Sequence, residues 1–158
     1  ARLAAQFGDA SVGVRSGAKD ALLRAGEVPK EDAAQALTLA ELNQWLNGET
    51  QARLGPRAER WAYASYQRLS EVLPCVDLKR HIRWGEVGVS DADERVQEST
   101  LWVGSEGAAT PAHRDTYGRN VVAQLSGRKE WLLWPPDAPL EPTRFPFEES
   151  SIFTEQRL

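Results

Sequence analysis

The chain has 158 residues, of which 41% are hydrophobic and 27% are charged, and its formal net charge is −4. This length and apolar content suffice for one globular domain, and a mild charge of mixed sign indicates neither a nucleic-acid-binding tail nor a surface for anionic membranes. No apolar run reaches the roughly 20 residues of a membrane-spanning helix, so a soluble cytoplasmic or nuclear protein is expected.

The N-terminal part predicts a short helix followed by a strand. Leu3 and Phe7 give an amphipathic helical opening that ends at Gly8, and residues 11–16 alternate in polarity as a strand does. Because the chain begins inside this helical pattern and contains no methionine, we expect it to be a fragment. Residues 17–36 are charged and alanine-rich and are interpreted as a connection with at most a weak helix.

A second helix is predicted to begin after Thr38. Thr38 and Glu41 have the spacing of a capping box, in which the hydroxyl and the carboxylate accept hydrogen bonds from early backbone amides. Leu42, Trp45 and Leu46 then form one apolar face. The Asn-Gly pair that follows is predicted to end the helix.

The middle of the chain predicts a strand and short helical pieces. Trp61 and Tyr63 alternate with small residues, as in a strand with one packed face, and helical pieces are expected up to Trp84. The single cysteine, Cys75, excludes an internal disulfide and a zinc site made of several cysteines. Because its neighbours are apolar, Cys75 is interpreted as a buried, inert thiol in a reducing compartment.

From Glu98 onward the pattern becomes that of a β protein. Residues 99–105 predict one strand, and two more are expected around a turn at Ser126-Gly127, ended by Pro135-Pro136. The acidic, proline-interrupted remainder shows no recognisable terminating element.

His113 and Asp115 are candidate metal ligands. Residues i and i+2 of a strand point to the same face, so an imidazole nitrogen and a carboxylate oxygen can meet at one point. A second histidine from elsewhere would complete a facial triad whose open positions suit Fe(II), a chelating co-substrate and dioxygen. Ordinary surface pairing explains the same triplet, and the spacing alone leaves both interpretations open.

Lys129 is a candidate anion contact. It would lie on the strand after the turn, on the same face as Trp131 and Leu133, where a charge amid apolar neighbours requires a partner. If facing strands close into a barrel, its ammonium would bind the far carboxylate of an iron-chelating dicarboxylate, with Thr110 adding a hydroxyl donor. The alternative is a solvated lysine on an edge strand whose opposite face is buried.

The run G-x-E-G-x-x-T-P-A-H-x-D, from Gly104 to Asp115, together with Asn120 and Lys129, resembles the JmjC-type Fe(II)- and 2-oxoglutarate-dependent dioxygenases. It is similar to the branch that contains the asparaginyl hydroxylase of hypoxia-inducible factor. The similarity is closer to the branch associated with small heat-shock proteins, through WAYASY, ESTLWVGS, HRDTYG, GRKEW and PTRFPFEESSIF.

The resemblance implies a mainly β fold, a double-stranded β-helix (jelly-roll, cupin-like) with N-terminal helices and incomplete at the C-terminus. Residues 1–60 would support residues 61–158, which would form the first part of the jelly-roll. By the same resemblance His113 and Asp115 are iron ligands. The residues implied to bind 2-oxoglutarate are Thr110, Lys129, Asn120 and Tyr63.

The family's second iron histidine lies on a later strand, whereas this chain has no histidine after His113. The other histidine, His81, precedes the motif and is interpreted as a structural or surface residue. The implied function is an Fe(II)- and 2-oxoglutarate-dependent oxygenase that hydroxylates protein. The alternative is a catalytically silent jelly-roll that binds a small heat-shock protein in a stress response. Neither nucleic acid nor membrane is expected as a partner.

Overall fold

The computed structural model describes residues 8–19, 31–51, 53–74, 84–88, 99–116, 120–139, 141–143 and 151–154. The predicted helical opening around Leu3 and Phe7, the thiol of Cys75 and the imidazole of His81 lie outside the described residues. The chain divides into two compact units. The first unit is Ala1–Leu22 with Pro29–Ala109, and the second unit is Leu23–Val28 with Thr110–Leu158.

The first unit contains a four-stranded antiparallel sheet. Its strands, in the order β2-β1-β3-β4, are β1 (Ser11–Ala18), β2 (Gln35–Thr38), β3 (Arg60–Arg68) and β4 (Thr100–Gly104). The strands predicted near residues 11–16, 61–66 and 99–105 are therefore confirmed. β2 begins in the segment that the sequence analysis interpreted as a connection. It forms by pairing with β1, and Leu37 within it is 3% exposed. Four residues are too few for the sequence pattern to reveal a strand that depends on such a partner.

Helix α1 (Leu39–Leu46) begins at the predicted capping box. The Glu41 backbone N–H donates to the Thr38 hydroxyl at 3.1 Å, and the Thr38 backbone N–H donates to the Glu41 carboxylate at 2.8 Å. After the helix, Gly48 takes a φ of 76°, as the predicted Asn-Gly stop requires. Within the described ranges, no helix has the length and apolar character needed to cross a membrane.

The capping box makes stability depend on pH. The hydrogen bond from the Thr38 backbone lowers the pKa of the Glu41 carboxyl below its ordinary value of 4.5. A lowered folded-state pKa means that the contribution is fully present above the unfolded-state pKa and is lost as pH falls through the folded-state pKa. Denaturation of the wild type and Glu41→Gln between about pH 7 and about pH 3 should show the wild-type advantage shrinking. A constant difference would contradict this role.

The core lies between α1 and one face of the sheet. Its buried side chains are Val12, Val14, Leu37, Leu39, Leu42, Trp45, Leu54, Ala62, Ala64, Val72 and Leu73. The Trp45 indole Nε1 donates to the carbonyl oxygen of Gly55 at 2.8 Å, which satisfies the polar atom of this large side chain. Short helix α2 (Leu69–Val72) and a 3₁₀ turn (Trp84–Val87) match the predicted helical pieces.

The centre of β3 is buried on both faces, whereas the sequence predicted one packed face. Ala62 and Ala64 are 0% exposed on the core side, and Trp61 and Tyr63 are 2% and 5% exposed. Gly104 of β4 faces Tyr63, and a Cβ at this glycine would lie only 3.1 Å from the Tyr63 Cδ2. A glycine therefore leaves the space that the Tyr63 ring occupies.

A β-bulge interrupts β3 between Ala64 and Gln67. Within it, Tyr66 has a φ of 57°, and its exposed ring lies against Trp102 with the ring centroids 4.6 Å apart. Beyond the bulge, the Gln67 carboxamide exchanges two hydrogen bonds with the backbone of Gly13, at 3.1 and 3.3 Å. The Gln67 side chain thus continues the connection to β1 where the backbone of β3 turns away.

In the second unit, β5 (His113–Asp115) pairs antiparallel with β6 (Ser151–Phe153). The Thr154 backbone N–H extends this pairing by donating to the carbonyl oxygen of Ala112 at 3.0 Å. β6 lies in the remainder for which the sequence predicts no element. Its β-branched and aromatic residues are a strand signal, but three residues are too few for periodicity to identify.

The prediction of two strands around Ser126-Gly127 was wrong, because residues 120–139 contain no strand. Gly127 has a φ of 73°, so the chain bends there, but Leu125 and Leu133 are 82% and 84% exposed. A hairpin without a packed face is marginal in water, and no described strand pairs with this segment. The alternation of apolar residues indicated that this segment could form strands. Among the described residues, however, it has no neighbouring strand to pair with.

Candidate metal centre

His113 and Asp115 occupy the two ends of β5, and their side chains meet. The Nε2 atom of His113 lies 3.5 Å from the Oδ1 atom of Asp115, and the two side chains are 28% and 25% exposed. Arg114, between them, is exposed. The structure thus brings the imidazole and the carboxylate to one point, as the i, i+2 spacing predicts, at a partly exposed position.

The segment before β5 sets the orientation of the His113 ring. Nδ1 lies 2.8 Å from the carbonyl oxygen of Pro111. Because a carbonyl oxygen only accepts, Nδ1 carries the proton in this hydrogen bond, and the neutral ring then has its lone pair on Nε2. Metal-binding histidines are commonly held in this way, with the second ring nitrogen donating to a carbonyl or carboxylate.

Asp115 is oriented by Asn120. The Asn120 side-chain amide donates a short hydrogen bond to Oδ2 of Asp115, while Oδ1 faces His113. Asn120, which the resemblance assigns to 2-oxoglutarate, therefore contacts the candidate metal ligand itself. The sequence did not reveal this role, or that of the Pro111 carbonyl, because both depend on the path of the chain around β5.

The geometry of this pair fits part of a metal site. With Nδ1 protonated, Nε2 and Oδ1 both present lone pairs to the space between them, an arrangement that a cation stabilises. Two ligand atoms each about 2.1 Å from one metal ion lie about 3 to 3.5 Å apart, so the observed pair fits one edge of the coordination sphere. In the part of the chain that the structure describes, no third His, Cys, Asp or Glu completes a cluster.

Thr110 and Lys129 belong to the same unit as this pair. Thr110 is partly buried, and Lys129 is exposed. The Nζ atom of Lys129 lies 4.5 Å from the centroid of the Trp131 ring. This contact agrees with the predicted placement of Lys129 and Trp131 on one side of the chain. Their predicted position on a strand was wrong, and a cation–π contact holds them together without sheet pairing.

Tyr63 belongs to the first unit, at the centre of β3. Its ring centroid lies 5.3 Å from the guanidinium carbon of Arg15 and 5.8 Å from the centroid of Trp102. Neighbouring strands supply both contacts, so the orientation of Tyr63 depends on β1 and β4 as well as on its own strand.

The cupin-like domain family matches residues 2–141, and the chain belongs to this family. The expected mainly β, jelly-roll class is thereby confirmed.

The chain is similar to proteins of several vertebrates that share one name. HSPB1-associated protein 1 of Homo sapiens is 43% identical over 125 residues, which are 74% of this chain and 25% of that protein. The Mus musculus protein of the same name is 40% identical over 139 residues, covering 82% of this chain and 28% of its own length. The Bos taurus protein is 48% identical over 97 residues, covering 60% and 20%.

The chain therefore spans about a quarter of the length of these relatives. The similarity to the branch associated with small heat-shock proteins, inferred from the motifs, is confirmed. No solved structure matches the chain significantly.

Proposed function

We propose that the protein is an Fe(II)- and 2-oxoglutarate-dependent oxygenase of the protein-hydroxylase type. The observation that supports this most directly is the pair formed by His113 Nε2 and Asp115 Oδ1, 3.5 Å apart. The other polar atom of each side chain has its own hydrogen bond, to Pro111 and Asn120. Bound Fe(II) would supply the oxidative chemistry, through the coordination positions that protein ligands leave open.

In this proposal, the residues of this chain hold the metal ion and orient the side chains that bind it. His113 and Asp115 would provide two of the ligands, and the Pro111 carbonyl and the Asn120 amide keep the tautomer and the rotamer that ligation needs. Because these hydrogen bonds already restrict both side chains, less conformational entropy is lost when a metal ion binds. The third protein ligand is not found among the residues that the structure describes.

2-Oxoglutarate is proposed as the co-substrate because of the motif resemblance. Thr110 would donate its hydroxyl to a carboxylate, and Lys129 would pair with the distal carboxylate. Tyr63 would contribute its phenol, and Asn120 would act through Asp115 as well as at the co-substrate. The contact between Lys129 and Trp131 is at an exposed site, where such contacts are worth about 0.5–1 kcal/mol, so a carboxylate can displace it.

Lys129→Ala tests this assignment in the full-length protein. Loss of a charge-assisted hydrogen bond should raise the apparent KM for 2-oxoglutarate about tenfold or more, with metal affinity unchanged. Succinate formation across a range of 2-oxoglutarate concentrations measures the effect. Arg128→Ala, which removes the adjacent exposed cation, is the matched control and should leave the KM unchanged. Equal 2-oxoglutarate dependence in wild type and Lys129→Ala would contradict the role of Lys129.

A binding module that holds a small heat-shock protein is the second candidate function. It is favoured by the name of the relatives, HSPB1-associated protein 1. One comparison separates the two functions. A binding module would capture HSPB1 equally well as wild type and as His113→Ala, and the wild type would form no succinate from 2-oxoglutarate.

We also propose the wider setting of this domain. Residues 1–60 would support the jelly-roll part, residues 61–158. A single cysteine agrees with a reducing compartment, and the cytoplasm, or else the nucleus, is the proposed location. A polypeptide is the proposed substrate or partner, and neither nucleic acid nor membrane is proposed to bind.

A further inference from the structure

Asn47 and Gly48 form an exposed Asn-Gly pair at the end of α1. Such a pair carries its own chemistry, because the glycine has no Cβ to shield its backbone nitrogen from the asparagine side chain. When that nitrogen attacks Cγ, the N–Cγ bond forms, the Cγ–Nδ2 bond breaks, and ammonia leaves with the proton of the backbone nitrogen. Water then opens the resulting cyclic imide to aspartate or isoaspartate, which completes deamidation.

The surroundings of the pair leave room for this reaction. A Cβ built on Gly48 would meet no atom of the described residues within 4 Å. Because both residues are exposed, water can reach either carbonyl of an imide formed there. The reactive groups are therefore accessible, and the rate depends on whether the backbone allows the attack.

Two features of the folded helix end hold the attack back. The Gly48 N–H donates to the carbonyl oxygen of Trp45 at 2.9 Å, so the attacking nitrogen keeps its proton in a hydrogen bond. Asn47 has a φ of −82° and a ψ of −7°, which nearly eclipses the Gly48 nitrogen with the backbone nitrogen of Asn47. The cyclic imide instead needs the Gly48 nitrogen turned toward the Cβ of Asn47. The helix end must therefore open before the ring can close.

The last turn of α1 resists this opening through Trp45. Its side chain is 1% exposed, and its indole N–H donates to the carbonyl oxygen of Gly55 at 2.8 Å. The backbone N–H of Asn47 also donates to the carbonyl oxygen of Asn43 at 3.0 Å. Local opening has to break such contacts, so the fraction of time that the helix end is open sets the rate of deamidation.

The product of the reaction fits the helix end less well than asparagine does. The Asn47 side-chain amide donates to the Glu49 carboxylate at 3.2 Å, and a carboxylate at position 47 would replace this hydrogen bond by repulsion. The new negative charge would also lie at the C-terminus of α1, where the helix dipole disfavours it and where the last turn contains no basic residue. Deamidation would thus favour the open helix end.

We propose that Asn47 is a site of spontaneous deamidation and that the folded end of α1 controls its rate. The native helix end protects the amide by holding the Gly48 N–H and the ψ of Asn47, and each local opening exposes it to attack. Because the product favours the open helix end, a chain that loses stability around α1 is modified irreversibly. This inference is independent of the metal centre and of the proposed oxygenase activity.

The test compares the full-length protein in native buffer and in guanidinium chloride, both at mildly alkaline pH. Peptide mapping by mass spectrometry measures the conversion of Asn47. We expect it to be about tenfold or more slower in native buffer, because only open helix ends react. Gly48→Ala should slow the reaction in guanidinium chloride, because a Cβ then hinders the attacking nitrogen. Equal wild-type rates in both conditions would overturn the protection by α1. An intact Asn47 in guanidinium chloride, or an undiminished rate in Gly48→Ala, would overturn the site.

Trp45→Phe tests whether opening of α1 controls the rate. It leaves the reacting pair intact and removes the hydrogen bond to Gly55, so we expect about fivefold faster conversion in native buffer and the wild-type rate in guanidinium chloride. Asn120 is the internal control, since it is exposed but precedes the β-branched Val121, and its amide should persist in both conditions. An unchanged native rate in Trp45→Phe, or conversion of Asn120 as fast as that of Asn47, would contradict the proposal.

Asn47→Asp imitates one product of the reaction. It should lower the melting temperature by about 2 °C or more, and adding Glu49→Gln should recover part of the loss, because the repulsion between the two carboxylates is then removed. A wild-type melting temperature in Asn47→Asp would overturn the claim that deamidation favours the open helix end.

Discussion

Asp115→Asn should weaken metal binding to the full-length protein about hundredfold or more and abolish 2-oxoglutarate turnover. The replacement has nearly the same shape but lacks the negative charge that stabilises a divalent cation, and it places an amide where a second lone pair faces His113. Mn(II) titration, followed by calorimetry, measures the first effect without oxidation of the metal. Succinate formation with Fe(II) measures the second.

Two further variants provide metal affinities with which that of Asp115→Asn can be compared. Asn120→Ala leaves both proposed ligands in place and removes the hydrogen bond that orients Asp115, so we expect a loss of about tenfold in metal affinity. Asp137→Asn removes an exposed carboxylate from the same unit and should have no effect. If Asp115→Asn bound Mn(II) as tightly as Asp137→Asn, Asp115 would not be a metal ligand.

Trp45→Ala should destabilise the first unit by about 3–5 kcal/mol. Trp45 is 1% exposed, packs in the core between α1 and the sheet, and donates its indole N–H to Gly55. The substitution leaves a large cavity and a carbonyl without its donor. Because small domains are stable by only about 5–15 kcal/mol, urea denaturation followed by circular dichroism should show a much lower midpoint.

Two control variants show whether the loss of stability comes from the packing of Trp45 in the core or from the removal of any tryptophan. Trp45→Phe retains most of the apolar volume and loses the hydrogen bond, so an intermediate midpoint is expected. Trp131→Ala removes a side chain that is 53% exposed in the second unit and should change stability by no more than about 0.5 kcal/mol. Equal midpoints for Trp45→Ala and Trp131→Ala would contradict the assignment of the core.

The features that sequence predicted well are those that depend on near neighbours. The capping box needs only Thr38 and Glu41, three residues apart, and its two hydrogen bonds form as expected. The convergence of His113 and Asp115 needs only the two-residue repeat of a strand, and the structure has it.

The features that the sequence analysis missed depend on residues that are far apart along the chain. Residues 120–139 alternate as strands do, yet strand formation depends on a facing edge that the local pattern does not specify. The contact between Arg15 and Tyr63 likewise follows from the register of β1 on β3. The resemblance supplied the class of ligand for Tyr63, but only the packed sheet shows which neighbour holds its ring.

His113 can be observed directly, because the chain has only two histidines and His81 provides an internal reference. NMR of the imidazole groups of the 158-residue chain during Mn(II) titration tests whether the H-x-D pair binds a metal ion. We predict that the His113 signals broaden at lower Mn(II) concentration than those of His81, and that Asp115→Asn removes this preference. Simultaneous broadening of both histidines, or a preference for His113 that survives in Asp115→Asn, would contradict a metal centre formed by His113 and Asp115.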